Sequence, residues 1–325
     1  MLSFEDICAA SNRISSIIHK TPVMTSSYID SLCGMEVYFK CEHLQKTGSF
    51  KARGALNAVK IIINDSEKKS SSVITHSSGN FGQALAWAAK IHNIPCVVVV
   101  PNNAPISKLN AMKGYGANIV LCEPKDREMV CKNFRDNGED IEMVDSHDDY
   151  RVMAGQGTIA IEFLEEIPHL DALLVAVGGG GLCSGIAVAA KKIKPDIKVY
   201  CVEPEGKNLQ RSIDSNKRLW DPNADPVKTI ADGIRVLRIG EKCFPSIYEK
   251  CEKKVLTVND DEIAEALKLV YNRMKQVIEP TGAVSLAALF KYKNELAAQN
   301  LKKIGVIFCG GNIDLERLSS FFSKE

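Results

Sequence analysis

The segment around Lys51 is the part of the chain whose residue types most directly suggest chemistry. Lys51 ends the run GSFK (residues 48–51), and Gly54 follows shortly after it. This pattern predicts an amine held in a tight, apolar turn. Partial burial lowers the pKa of a lysine and favours the neutral amine, which can form a Schiff base with an aldehyde. An ordinary surface lysine is the alternative interpretation, and the rest of the sequence decides between the two.

Four consecutive glycines, residues 178–181, lie between a predicted strand (172–177) and a predicted helix (182–194). Backbone N–H groups in such a turn converge on a phosphate at the positive end of the helix. A dinucleotide site is an alternative, because Glu203 ends the next predicted strand about 20 residues on, where an acid would bind a ribose. However, Cys183 stands where the third glycine of that fingerprint belongs. The run therefore favours a phosphate-binding loop of another kind than the dinucleotide fingerprint.

Two further segments follow predicted strands and carry polar groups. Residues 76–82 (HSSGNFG) follow the strand 72–75 and open a helix at 83–90. Hydroxyl and amide groups at a helix N-terminus suit a carboxylate or phenolate oxygen, although a capping serine and a turn glycine would give the same pattern. Cys309 follows the strand 303–308, and the carboxyl ends of parallel strands face the ligand crevice. A lone cysteine is otherwise more often a core thiol.

Apolar runs of strand length alternate with helical patterns, which is typical of a doubly wound parallel sheet. The alternation begins near residue 72 and restarts near residue 172, after a predicted helix such as 156–166, and this restart predicts two α/β lobes. The polar stretch 64–71 and the loop 145–151 are the predicted crossings between them. The buried strands are expected at 72–75, 96–100, 119–121, 172–177, 198–202 and 303–308.

Composition narrows the class of protein. The 325 residues carry a net charge of +1 with mixed signs, so electrostatics give no reason to expect binding to nucleic acid or membranes. The N-terminus is acidic where a secretory or transit peptide would be basic, and the longest apolar run, 94–100, is too short to span a bilayer. Eleven cysteines without a Cys-x-x-Cys pair argue against zinc and against a disulfide framework. A cytoplasmic protein with reduced thiols is expected.

These segments together resemble the fold-type II pyridoxal-phosphate (PLP) enzymes, the group of the serine racemases and the serine/threonine dehydratases. The resemblance starts from residues 42–55 (EHLQKTGSFKARGA) and continues to the C-terminus. It implies an α/β fold of the tryptophan synthase β type, with two doubly wound lobes and the cofactor in the cleft. The large domain would comprise residues 1–68 and 148–325, and the small domain residues 72–146, which carry the family's asparagine loop at residues 76–82.

The resemblance also implies a role for individual residues. Lys51 would bind PLP covalently and act on one face of the substrate Cα, and Ser78 would act on the opposite face. Segments 231–233 and 279–283 carry weight only through the resemblance. The implied cofactor contacts are Phe50, Lys51, Asn80, Gly178, Gly179, Gly180, Gly181, Leu182, Gly233, Glu279 and, against the pyridine nitrogen, Cys309. The implied substrate contacts are Ser77, Ser78, Gly79 and Arg127.

The chain departs from the family pattern at positions that bear on the substrate. Phe81 replaces a histidine of the mammalian-type racemases, Val236 replaces a serine, and residues 145–148 (DSHD) replace a Pro-rich segment. L-Serine is the first expectation for the substrate, with threonine, aspartate and 3-hydroxyaspartate as alternatives. A neutral thiol at Cys309 does not hold the ring nitrogen protonated, and racemisation and β-elimination of hydroxy-amino acids tolerate the weaker electron sink.

Two effector sites are implied by the same resemblance. A Mg²⁺ site would use Glu203 and the carbonyl of Lys207, but Leu209 stands in place of the second carboxylate, which weakens the site because hard cations need oxygen ligands. Tyr28 replaces a smaller residue in the nucleotide site. The residues that match an ATP effector site are Ser26, Ser27, Lys46, Thr47, Gln83, Tyr115, Lys275 and Asn312.

The expected activity is PLP-dependent interconversion of L- and D-serine, with dehydration of serine to pyruvate and ammonia as a side activity. A catabolic L-serine/L-threonine dehydratase is the first alternative, and a racemase or dehydratase of aspartate or 3-hydroxyaspartate is the second. A sensing or scaffold protein that kept the fold and lost the chemistry is a third, against which the intact Lys51 argues. A homodimer is expected from the family.

Overall fold

Two separate β-sheets organise the chain in this computed structural model, which describes residues 1–65, 71–104, 106–137, 140–221, 224, 227–236 and 238–322. The strands are β1 (Val23–Thr25), β2 (Glu36–Lys40), β3 (Ser72–His76), β4 (Cys96–Pro101), β5 (Asn118–Cys122), β6 (Ile141–Met143), β7 (Ala172–Ala176), β8 (Lys198–Pro204), β9 (Leu256–Val258) and β10 (Lys303–Ile307).

Helices alternate with these strands along most of the chain. The α-helices of the described residues are α1 (Phe4–Ile14), α2 (Ser27–Cys33), α3 (Lys51–Asn64), α4 (Asn80–Ile91), α5 (Ile106–Gly114), α6 (Arg127–Asp136), α7 (Tyr150–Glu166), α8 (Gly181–Ile193), α9 (Leu209–Asp214), α10 (Phe244–Lys250), α11 (Asp260–Leu269) and α12 (Pro280–Ala298). Short 3₁₀ turns cover Glu42–Leu44, Lys46–Gly48, Asp232–Ile234, Leu315–Arg317 and Ser319–Phe321, and a π-helical turn covers Val270–Met274.

The larger sheet has the strand order β1-β2-β10-β7-β8-β9, and only the β1–β2 pair in it is antiparallel. The smaller sheet has the order β5-β4-β3-β6 and is parallel throughout. Strand β4 shows why a parallel sheet forms here: its sequence CVVVVP is buried along its whole length, as expected for a strand covered by helices on both faces. The α/β fold class predicted from the sequence is confirmed.

Helix α3 is held against α7 by close packing and by a buried ionic cluster. A Cβ atom on Gly155 would lie 2.6 Å from the backbone of Arg53, so the two helices approach each other more closely than larger residues allow. The Arg53 guanidinium is fully buried, and it donates hydrogen bonds to Glu42 at 2.7 and 2.8 Å and to Glu162 at 2.6 and 2.8 Å. Lys40 also donates to Glu162, at 2.8 Å. This cluster fixes the helix whose first residue is Lys51.

The predicted strands are found within two residues of their expected ends, but the sequence analysis missed four others. Strands β1, β6 and β9 have three residues each, too few for a recognisable pattern, and β2 was overlooked despite its apolar alternation. Helix α7 begins at Tyr150, before the predicted residue 156 and inside the predicted crossing 145–151. Most of the other crossing, residues 66–70, and the domain boundary after residue 68 lie outside the described residues.

Three cysteines that are far apart in sequence meet in the core of the larger sheet. The Sγ atom of Cys183 lies 3.6 Å from those of Cys201 and Cys251. No Cys-x-x-Cys motif marks this cluster in the sequence, because its three members lie on α8, on β8 and directly after α10. Every cysteine is a free thiol. Among the described residues, no helix combines the length and apolar character that crossing a bilayer requires.

Candidate active site

Lys51 begins α3, and its amine lies in a pocket with aromatic walls. The Nζ atom donates a hydrogen bond to the carbonyl of Ser146 at 2.9 Å, and it lies 4.9 Å from the ring centroid of Phe50 and 5.6 Å from that of Phe81. Burial lowers the pKa of Lys51 to about 8, against the opposing attraction of Asp145. An amine with this pKa has a substantial neutral fraction near pH 8, as covalent chemistry with an aldehyde requires.

The glycine run forms a tight turn between β7 and α8. Gly180 has a φ of +100°, a conformation that favours glycine, and helix α8 starts at the next residue. A Cβ atom on Gly179 would lie 2.0 Å from the ring of His147, so the loop leaves no room for a side chain. The turn thus has no side chains of its own at the N-terminus of a 13-residue helix, with His147 packed against it, and a glycine turn at a helix N-terminus is an arrangement that binds phosphate.

The side-chain amide of Asn80 is fixed by two hydrogen bonds to residues that are distant in sequence. Its Nδ2 donates to Glu279 at 2.8 Å, and its Oδ1 accepts from Asn312 at 2.9 Å. Asn312 also donates to the carbonyl of Thr47 at 2.8 Å. Asn80 is the first residue of α4. The network fixes the amide of Asn80 next to the segment that carries Lys51.

Glu279 and Cys309 add two protonated groups to the same pocket. Burial, together with the nearby Asp232, raises the pKa of Glu279 to about 8. Burial also raises the pKa of Cys309 well above that of an ordinary thiol. The backbone N–H of Phe50 donates to the carbonyl of Cys309 at 3.0 Å, which ties the end of β10 to the start of α3. The thiol is therefore neutral, and its place against a pyridine nitrogen stays a prediction.

A charged pair connects the smaller sheet to the rim of the pocket. Lys108 on α5 forms an ion pair with Asp232, whose 3₁₀ turn also contains Gly233. The N–H of Gly233 donates to Thr281 Oγ1 at 3.1 Å. The pair brings the two predicted lobes together beside the asparagine loop.

Comparison with known proteins identifies the family. The family described as "Pyridoxal-phosphate dependent enzyme" matches residues 14–310. The chain belongs to this family. A serine racemase of Dictyostelium discoideum is 44% identical over 327 residues, which cover 99% of this chain and 98% of the relative. A human serine racemase is 46% identical over 317 residues, which cover 97% of this chain and 92% of the relative.

Solved structures assign the PLP enzyme to fold type II. A PLP-dependent aspartate racemase has a TM-score of 0.93 at 47% identity, over 98% of each chain. The serine racemase from Dictyostelium discoideum has a TM-score of 0.88 at 45% identity, over 97% of this chain and 99% of that one. The dinucleotide alternative is wrong, since Glu203 is buried and its Oε1 accepts the N–H of Leu209 at 3.2 Å instead of facing a ligand crevice.

The cradle in this PLP enzyme fits the cofactor that the family uses. The buried amine of Lys51, the bare turn 178–181 and the neutral thiol of Cys309 are the groups that an aldehyde, a phosphate and a pyridine nitrogen need. Leu182, the second residue of α8, is buried behind the turn. The assignment of single contacts to these residues stays a prediction.

The predicted substrate residues lie on two elements: Ser77, Ser78 and Gly79 on the asparagine loop, and Arg127 on α6. Ser77 Oγ accepts the N–H of Gly79 at 3.2 Å, so it shapes the asparagine loop, while Ser78 is exposed on it. Arg127 starts α6 and is exposed; together with Arg238 it lowers the pKa of His76, for which burial is the main cause. Their part in binding substrate stays a prediction.

Two of the three departures from the family pattern lie beside the Lys51 amine, and the third is exposed. Phe81 is buried and contributes one aromatic wall around the Lys51 amine. Val236, by contrast, is exposed. The segment 145–148 does take part in the site, because Ser146 accepts the hydrogen bond of Lys51.

The residues that match the nucleotide site are only partly brought together. Thr47 and Asn312 are in direct contact, and α4, which carries Gln83, packs on the turn Lys46–Gly48. Thr47 and Lys275 both have positive φ angles, of 60° and 57°. The remaining positions lie on other elements: Ser26 caps α2 and Ser27 begins it, while Tyr115 follows α5.

His147 and Asp145 were noted in the sequence only as departures from the family pattern, but the structure places them in the site. His147 covers the glycine turn, and its Nδ1 lies 3.3 Å from Asp145 Oδ1. Burial lowers the pKa of His147, although Asp145 opposes this. Asp145 also accepts the N–H groups of His147 and Asp148, at 2.9 and 2.8 Å. The sequence DSHD itself, with a histidine close to two aspartates, was the signal that could have identified them.

Proposed function

We propose that this protein is a PLP-dependent serine racemase that also dehydrates L- and D-serine to pyruvate and ammonia. The observation that carries the proposal is the Lys51 amine, whose pKa is lowered to about 8 and which points at Ser146 beside the glycine turn. Relatives of 44% and 46% identity over nearly the whole chain are named serine racemases. Relatives of 41% and 39% identity are named L-threo-3-hydroxyaspartate ammonia-lyases, which supports the elimination activity.

The groups proposed to hold the cofactor surround the Lys51 amine. The phosphate would lie on the turn 178–181 and Leu182 at the start of α8, and the ring between Asn80 and Cys309, with Phe50, Gly233 and Glu279 at its margin. When bound, PLP withdraws electrons and so acidifies the Cα–H bond of an amino acid. The neutral Cys309 thiol limits that withdrawal, which suits proton exchange at Cα and loss of a β-hydroxyl.

We propose that Lys51 and Ser78 move the proton on opposite faces of the substrate. Because the pKa of Lys51 is near 8, its amine both accepts and returns a proton close to neutral pH. Ser78 is exposed on the asparagine loop, where its hydroxyl is free to meet a ligand in the cleft. A serine hydroxyl is a poor base by itself, so it needs a neighbouring phosphate or water to relay its proton.

The Ser78→Ala variant tests the division of roles. It should lose D-serine formation and keep dehydration of L-serine, because elimination needs only the Lys51 face. Purified protein is incubated with L-serine, and D-serine and pyruvate are measured in the same sample. Lys51→Ala is the baseline and should lose both activities. If Ser78→Ala interconverts the enantiomers at a near wild-type rate, the two-base assignment is wrong and the serine/threonine dehydratase alternative gains.

A racemase of aspartate is the second candidate function. It is favoured by the aspartate racemase structure at 47% identity. Arg127, whose charge acts on His76 against the opposing charges of Asp145 and Glu128, is the cation that would attract a second carboxylate on the substrate. The turnover of L-serine, L-threonine, L-aspartate and L-threo-3-hydroxyaspartate, measured side by side, ranks the candidates. A kcat/KM for aspartate at least ten times that for serine would replace the first proposal.

Regulation and assembly are proposed on the family resemblance. ATP would bind as an effector near the contact between Thr47 and Asn312, with Ser26, Ser27, Lys46, Gln83, Tyr115 and Lys275 as further contacts. Because Asn312 also bonds Asn80, a nucleotide there would act directly on the asparagine loop. We further propose a homodimer in the cytoplasm, where the eleven free thiols would stay reduced.

A further inference from the structure

The Lys207 ammonium group is buried at the point where the glycine turn leaves β7. Its side chain has no exposed surface. Its Nζ donates to the carbonyls of Val177 at 2.7 Å and Gly178 at 3.0 Å, and it lies 3.5 Å from the carbonyl of Ile234. An ammonium group has three N–H donors, and three carbonyl oxygens receive them here. The group therefore joins the start of the phosphate loop to the 3₁₀ turn that carries Gly233.

Glu203 supplies the opposite charge. Its carboxylate is 1% exposed, and its Oε2 lies 3.9 Å from the Lys207 Nζ. The Oε1 atom accepts the N–H of Leu209 at 3.2 Å, while Oε2 has no hydrogen-bond partner among the described residues. Burial raises the pKa of Glu203 and lowers that of Lys207, and the attraction between the two charges opposes both changes.

These residues do not fit the divalent cation that the family resemblance suggests. Mg²⁺ needs six oxygen ligands at octahedral positions. Here the nearby carbonyls of Val177 and Gly178 are already bonded to an ammonium group, and Leu209 offers no side-chain oxygen. A divalent ion next to Glu203 would also lie within a few ångströms of the positive Lys207 and be repelled by it.

We infer that the Lys207 side chain is a built-in cation, which holds the cofactor phosphate loop in place and makes a bound divalent metal unnecessary. Lys207 is thus a positioning residue: it contacts the backbone of the loop and not the reacting atoms. The inference rests on the proposed use of PLP at this loop, and it does not depend on which amino acid is the substrate.

Removing the ammonium group tests the inference, with cofactor affinity and thermal unfolding as readouts. Lys207→Ala should weaken PLP binding at least about tenfold, which is the smallest effect that loss of an outer-shell partner typically has at metal sites. Magnesium chloride should restore part of that affinity, because Glu203 and the two freed carbonyls then face an open space. Wild-type protein should give the same PLP affinity and the same Tm with EDTA as with magnesium chloride. Lys192→Ala, which removes an exposed lysine on α8, is the control and should match wild type.

Two further variants keep the inference falsifiable. In Lys207→Ala/Leu209→Asp a second carboxylate is added near Glu203, so this protein should respond to magnesium more strongly than Lys207→Ala. If Lys207→Ala does not fold, Lys207→Met/Glu203→Gln removes both charges and leaves none unpaired, and it should fold but bind PLP at least about tenfold more weakly.

Two results would overturn the inference. The first is that EDTA weakens PLP binding to the wild-type protein and only magnesium reverses this. The second is a folded variant that lacks the Lys207 charge and binds PLP as tightly as wild type. A protein that binds PLP with the expected pattern but leaves serine unchanged would refute the proposed function alone.

Discussion

Replacing Arg53 should destabilise the protein strongly, because its charge is buried and paired with a buried carboxylate. The guanidinium is fully buried, donates to Glu42 and Glu162 through four hydrogen bonds, and reaches Thr158 Oγ1 at 3.1 Å. Arg53→Met leaves the Glu42 carboxylate, itself 0% exposed, without a cationic partner. Breaking a buried ion pair from one side costs about 3–5 kcal/mol.

This loss of free energy converts into a measurable shift in thermal unfolding. An unfolding entropy of about 2.1 cal/mol/K per residue gives about 0.7 kcal/mol/K for a chain of 325 residues, so the Tm of Arg53→Met should fall by about 4–7 °C. Circular dichroism of cofactor-free protein measures it without the added stabilisation of a ligand. Arg238→Met is the matched control: its pair with Glu128 at 3.3 Å is exposed, which is worth at most about 1 kcal/mol and so about 1.5 °C.

A double variant separates the lost charge pair from lost packing. Arg53→Met/Glu42→Gln removes the unpaired carboxylate while the hydrogen bond from Thr21 Oγ1 to that side chain can remain, and Glu162 keeps Lys40 as its partner. The double variant should therefore regain at least half of the lost Tm. A Tm for Arg53→Met within 1.5 °C of wild type, or a double variant less stable than the single one, would refute this reasoning.

Three further predictions follow from the site. The rate at which cofactor-free protein takes up PLP should rise as the pH increases through about 8, because the Lys51 amine loses its proton there; a stopped-flow rate that is flat or falling between pH 7 and 9 would contradict this. The folded-state pKa of Glu279 is raised to about 8, so its contribution to stability is full below the ordinary value of 4.5 and is lost as the pH rises through 8. Glu279→Gln should therefore remove part of the fall in unfolding free energy between pH 5 and 8, and an identical slope in urea titrations of both proteins would count against it. Saturating ATP should raise the dehydratase kcat/KM, and Lys275→Ala should reduce the effect; pyruvate formation that ATP leaves unchanged would argue against the nucleotide site.

Local patterns in the sequence predicted the class of the fold and the cofactor. A strand, four glycines and a helix in succession predict a phosphate turn, because the geometry depends on neighbouring residues only. The structure has that turn, with Gly180 at a φ of +100°. Strands buried on both faces, such as β4, were found for the same reason: a run of β-branched residues is visible in a short window.

Contacts between distant residues could not be read from such patterns. Asn312 was matched to a nucleotide site, yet it also bonds Asn80, 232 positions away. His147 was noted only as a departure from the family pattern, and the structure lays it across the glycine turn. Which of two chemically suitable partners a side chain meets depends on how helices and sheets pack, which no local spacing encodes.

The sequence by itself thus determined which groups this protein has available: an amine at the start of α3, a glycine turn between a strand and a helix, and a thiol just after the last strand. The tertiary structure alone decided the electrostatic environment of those groups. Burial next to Phe50 and Phe81 lowers the pKa of Lys51, and a lysine assigned to a metal site by its backbone carbonyl uses its ammonium group instead. The reason is physical: the free energy of a charge depends on the solvent and the charges around it, and folding, not sequence order, selects these.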